Sequence, residues 1–150
     1  MQQLNFPRTY AFDTRQTNDK REILDPLRRQ FVALTPEEWV RQNLVQFLVQ
    51  DMGYPRGLIA IEKYLELHGT SYRADIVVHD RQGTALLLAE CKEPSVKISQ
   101  DTFDQIARYN RVLHARYLLV SNGLEHYCYA IDREKKQYRF LEQLPRYEQL

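Results

Sequence analysis

Two cysteines, five glycines and one tryptophan in 150 residues leave little material for several classes of protein. Cys91 and Cys128 each stand alone in an apolar run, so they are expected as buried thiols and not as a disulfide. No pair of cysteines or histidines has zinc-ligand spacing. No apolar run approaches the roughly 20 residues that cross a bilayer, and Met1–Tyr10 lacks the apolar stretch of a signal peptide. These absences predict a cytoplasmic protein with no membrane partner. A Gly-x-x-x-x-Gly-Lys-Ser/Thr phosphate loop is also missing, so no ATP site and no ATP-driven motion are expected of these residues. No serine or cysteine nucleophile arrangement stands out. An excess of positive charge is lacking too. The 21 Lys and Arg barely exceed the 20 Asp and Glu, which argues against a surface coated throughout for nucleic acid. Basic clusters remain at Lys20-Arg21, Arg28-Arg29 and Arg133 to Lys136, as local phosphate contacts or plain solvated surface.

What the chain does have is a hairpin. Residues 72–79 and 84–92 read as strands dense in Ile, Val, Leu and Tyr, joined by the turn Asp80-Arg81-Gln82-Gly83. Such a hairpin has to bury an apolar face, yet Asp75, Glu90 and Lys92 sit beside its most apolar residues. Side chains alternate across a strand, so Glu90 and Lys92 point to one face and Cys91 to the other. Two carboxylates on neighbouring strands, with a lysine just beyond, suit a divalent cation and a water positioned beside it. An ion pair at a sheet edge is the plainer alternative.

Around this hairpin the length predicts one domain. Residues 1–20 read as a polar N-terminal arm, 21–145 as the domain and 146–150 as a tail. Short strands are expected at 22–24 and 30–34, turning at Asp25-Pro26. Thr35-Pro36-Glu37-Glu38 is a helix start, with a Thr cap, Pro in the first turn and acids near the positive end of the helix dipole. That helix is expected to run to about Met52 and to stop at Gly53. At 100° per residue its apolar face holds Val40, Leu44, Val45, Phe47, Leu48 and Met52. Glu37 falls near the middle of this face and Glu38 at its edge. A first strand follows at 58–68, where Glu62-Lys63 reads as a surface ion pair, with a place near the site as the alternative, and His68 as a turn residue, with a titratable general base as the alternative. A second helix is expected from about 100 to 114, with Gln105 and Tyr109 on one face. Strands at 116–121, 126–132 and 137–141 complete an α/β domain with a central mixed sheet.

Asp75, a gap of fourteen residues and then Glu90-Cys91-Lys92 resemble the PD-(D/E)xK nuclease motif, with Ala74 in the place of the proline. Thr35-Pro36-Glu37-Glu38-Trp39-Val40-Arg41-Gln42, Gln105-Ile106-Ala107-Arg108-Tyr109-Asn110 and Tyr117-Leu118-Leu119-Val120-Ser121-Asn122-Gly123 narrow the likeness. Together they resemble the N-terminal nuclease domain of type I restriction enzyme R subunits, over roughly residues 20–132. The resemblance implies a restriction-endonuclease-like αβββαβ core. It implies Mg²⁺ or Mn²⁺ held by Asp75, Glu90 and the Cys91 carbonyl, with Glu37 completing the site and Glu38 as its rival. Lys92 would orient or deprotonate a water or touch the phosphate, supported by Gln105 and Tyr109. The implied reaction is hydrolysis of DNA phosphodiesters. Implied partners are DNA, a separate motor or specificity subunit and a second copy of the chain in a homodimer. A non-catalytic nucleic-acid-binding or assembly module on the same fold is the alternative.

Overall fold

Runs of branched and leucine side chains build a six-stranded sheet, and two helices cover it from opposite sides. The computed structural model describes residues 1–150. In chain order it contains β1 (Thr14–Thr17), β2 (Lys20–Asp25), β3 (Gln30–Ala33), α1 (Pro36–Gln50), β4 (Ile59–Leu67), β5 (Thr70–His79), β6 (Ala85–Cys91), α2 (Gln100–Leu113), β7 (Tyr117–Ser121), β8 (His126–Asp132) and β9 (Gln137–Leu141). Strands β4 to β9 lie side by side in sequence order, and β1 to β3 form a separate small sheet. Only β6 and β7 run parallel in the large sheet, where α2 makes the crossover, and every other pairing is antiparallel. The order α1-β4-β5-β6-α2-β7 is the expected αβββαβ core with a mixed sheet.

All seven residues of β6 are buried, as befits a strand covered on both faces. Leu87, Ala89 and Cys91 pack with Val40, Leu44 and Leu48 of α1. The intervening Leu88 packs with Ile106 and Tyr109 of α2. The Asp80 carboxylate closes the β5–β6 turn by accepting the amides of Gln82 and Thr84. Thr35 caps α1 by accepting the Glu38 amide at 3.1 Å.

Residues 1–20 differ from the expected polar arm. Leu4 and Phe6 pack on the core, Tyr10 is buried and Thr14–Thr17 pair with β2. This segment runs along the outer side of α1. The Trp39 indole donates to the Gln2 carbonyl, Phe12 packs on Trp39 and Phe6 on Phe47. A few apolar anchors spaced through a polar stretch suffice to hold it, although they set up no periodicity. The expected tail is also anchored, because Tyr147 stacks against Tyr54 and its amide donates to the Met52 carbonyl. Both cysteines are buried free thiols.

Candidate active site

The β5–β6 ladder ends at Ile76 and Ala89, one step short of Asp75 and Glu90. Beyond that point β5 continues with β4 alone as far as Thr70, while β6 continues with β7 through Cys91 and Ser121. The two central strands therefore part at the two acids. The Cys91 amide, which would have donated across the ladder, donates to Asp75 Oδ2 at 2.7 Å. In an extended strand a residue's N–H and C=O point the same way, so the Cys91 carbonyl also faces the gap.

Asp75 is 8% exposed and Glu90 7%. Burial pushes both carboxyls above the usual carboxylate range, Glu90 the further because the Asp75 charge adds to the burial. The Cys91 amide and Arg41 partly offset this for Asp75. As a carboxylate, Glu90 Oε2 is buried without a hydrogen-bond donor, a costly state that a proton shared with the neighbouring Asp75 carboxyl, or a cation, relieves. On its other side Glu90 Oε1 lies 3.6 Å from Lys92 Nζ. Lys92 Nζ donates to Gln105 Oε1 at 3.3 Å, and Gln105 Nε2 donates to the Tyr109 hydroxyl at 2.9 Å. The helical i, i+4 pair thus holds the lysine from α2, and Glu90, Lys92, Gln105 and Tyr109 form one line of contacts.

The two glutamates of α1 exchange the places expected for them. Glu38 is the buried one and Glu37 is exposed. Glu38 is fully engaged. Its Oε1 takes Arg28 Nη2 at 2.6 Å and Arg41 Nη2 at 2.7 Å, and its Oε2 takes Arg41 Nε at 2.8 Å. The helical wheel misplaced the pair because α1 also buries Arg41, Gln42, Asn43 and Gln46, and a polar face can be buried when partners satisfy it. Glu37 remains close enough for its charge to raise the proton affinities of Asp75 and Glu90.

Sequence reasoning missed Arg41 and Arg28 and gave Glu62 a place near the site only as the lesser alternative. Arg41 Nη1 lies 3.5 Å from Asp75 Oδ1. Glu62 does not pair with Lys63 but meets Arg28, Arg41 and Arg73, while Lys63 turns to His79. Glu62 also has φ +51 in mid-strand, a conformation costly for a non-glycine residue, and its register position faces Asp75. Arg28 was read only as part of a basic cluster. The one available signal was Arg41 inside the Thr35–Gln42 segment that carries part of the resemblance.

Arg28, Glu37, Glu38, Arg41, Glu62 and Glu93 line an open cleft of about 490 Å³ beside the acids. A larger hollow of about 910 Å³ lies at the opposite end of the sheet, around Lys63, His79, Arg116 and Arg139, and contains none of the predicted site residues. No three His, Cys, Asp or Glu side chains gather into a metal-enclosing group. The donor set is instead two buried carboxylates, a strand carbonyl and solvent. A hard cation that keeps several waters fits this set, and the unpartnered Glu90 oxygen is the group it would satisfy.

Residues 36–145 match the family model described as type I restriction enzyme R protein N terminus. Among solved structures, a fragment of a putative HsdR subunit of a type I restriction enzyme from Vibrio vulnificus YJ016 aligns with 73% of this chain and 23% of its own, at a TM-score of 0.52 and 17% identity. The type IIG restriction endonuclease BpuSI aligns with 73% of this chain and 13% of its own, at a TM-score of 0.41 and 21% identity. The chain therefore spans less than a quarter of either relative. Curated protein sequences give no match. No helix is long and apolar enough to cross a membrane.

Proposed function

The chain belongs to the type I restriction enzyme R protein N-terminal family, and from that membership and the paired acids we propose that it is a metal-dependent deoxyribonuclease hydrolysing DNA phosphodiesters. The observation that carries the proposal is the buried pair Asp75 and Glu90, with one carboxylate oxygen left without a partner and a lysine fixed alongside.

In this reading Asp75, Glu90 and the Cys91 carbonyl would hold Mg²⁺ or Mn²⁺, with Glu37 at the start of α1 adding negative charge nearby. The ion, when bound, supplies an acidified water and charge stabilisation at the scissile phosphate. The chain's own residues do the remainder. Asp75 cannot turn, because the Cys91 amide and Arg41 hold its two oxygens separately. Glu90, whose burial favours the neutral acid, would be held as the carboxylate by the ion's charge. Lys92, held by Gln105 and Tyr109, points its ammonium at the gap, where it steadies the attacking water or the charge growing on the phosphate. The cleft beside the acids leaves that gap open to a polymer backbone. DNA is the proposed substrate, with a motor or specificity subunit delivering it and two copies of the chain cutting opposite strands.

The test is supercoiled plasmid incubated with Mg²⁺ or Mn²⁺, beside Lys92→Ala. Nicking or linearisation by the wild type alone is expected. DNA binding that ignores both metal and Lys92, without cleavage, would replace the proposal with a non-catalytic binding module.

A further inference from the structure

A chain of ion pairs starts outside the family-matched segment and ends on Asp75. Asp25, 1% exposed, closes the β2–β3 turn by accepting the amides of Leu27 and Arg28 at 2.8 and 3.0 Å, and it pairs with the Arg28 guanidinium. Arg28 reaches Glu38 at 2.6 Å and Glu62 at 3.3 Å. Glu38 holds Arg41 through both carboxylate oxygens, Glu62 accepts from Arg41 at 3.1 Å, and Arg41 meets Asp75 at 3.5 Å. Two guanidiniums are thus shared among four carboxylates. Such a chain is a weak source of stability, because desolvation offsets much of the attraction. What planar, many-donor guanidiniums supply is fixed direction. The group at the end of the line is Asp75, whose other oxygen is already fixed by a backbone amide.

Resting on the nuclease reading above, we propose that Arg28 is a positioning residue. Through Glu38 and Arg41 it sets the orientation of Asp75 toward a divalent cation. The small β1–β3 sheet is then a working part of the active site, and Asp25 anchors it. In this role Arg28 acts through Glu38 and Arg41 and not by contact with the cation.

Arg28→Lys, Glu38→Gln and the double variant test this in the full chain. Lysine keeps the charge but cannot serve Asp25, Glu38 and Glu62 together. Manganese affinity is read by calorimetry, and kcat and KM with plasmid. Each single change is expected to weaken Mn²⁺ binding about threefold or more, below the roughly tenfold scale of a ligand's direct partner because Arg41 stands between. It should lower kcat and leave KM for DNA unchanged. The double variant should be no worse than the poorer single, because both act along one line. Losses that multiply, or a raised KM with unchanged Mn²⁺ affinity, would overturn the proposal, the second by assigning Arg28 to a phosphate contact. If Arg28→Lys does not fold, Asp25→Asn loosens the same line from its far end and is read in the same way. A wild type that binds no Mn²⁺ sinks the nuclease reading and this one together, whereas a wild type that binds and cuts beside unaltered variants sinks only this one.

Discussion

Asp75 and Cys91 are joined side chain to backbone: Asp75 Oδ2 accepts the Cys91 amide at 2.7 Å where their two strands separate. The aspartate replaces a missing ladder bond, so it has a structural role that its carboxylate chemistry does not need. Asp75→Ala leaves that amide buried and unpaired and is expected to cost about 1–3 kcal/mol in denaturant unfolding. Asp75→Asn keeps an acceptor for it. We expect the asparagine variant to be the more stable of the two, and both to lose Mn²⁺ binding.

Glu90 points the other way. A carboxyl whose pKa is raised on folding contributes most below the ordinary carboxylate range, and that contribution is lost as pH rises through the raised value. The metal-free protein should therefore weaken from acid toward neutral pH at this site, because burial and Asp75 disfavour the charge. Glu90→Gln should flatten that dependence and stabilise the metal-free chain at pH 8 by on the order of 1 kcal/mol. It should also abolish the rise in melting temperature that Mn²⁺ gives the wild type. A loss of stability at pH 8 would count against the site.

Tyr109 acts at the end of the lysine's support. Tyr109→Phe removes only the hydroxyl that receives Gln105 and keeps the ring against Tyr72. One hydrogen bond of ordinary worth corresponds to a fall in kcat of up to about tenfold. Mn²⁺ affinity should not move, which separates this line of contacts from the carboxylates.

Gly123 tests the packing of the N-terminal segment. Its φ of +86 is strained for any side chain, and an added methyl would meet Leu4 Cδ2 at 2.8 Å and Val40 Cγ2 at 3.0 Å. Gly123→Ala is expected to destabilise by about 2 kcal/mol or more, from the backbone and the crowding together. Leu4→Ala in the same background should recover part of the loss, as measured by thermal unfolding.

The main sheet and its helices are legible in the residue pattern, because each is written in local period and punctuation. Apolar runs mark β5 and β6, Asp80 to Gly83 marks the turn between them, and Thr35-Pro36 marks where α1 begins. The sequence also offered Asp75, Glu90 and Lys92 as candidates, since charges inside apolar strands are visible without coordinates, and Gln105 and Tyr109 through the family resemblance. The tertiary structure alone decided which glutamate of α1 is buried, that residues 1–17 belong to the body of the fold, and that Arg28 and Arg41 stand behind Asp75. Hydrophobic periodicity registers only apolar burial. A polar side chain is buried when its partners arrive, and those of Glu38, Glu62 and Asp75 come from β2–β3, α1 and the end of β6, parts of the chain that only folding brings together.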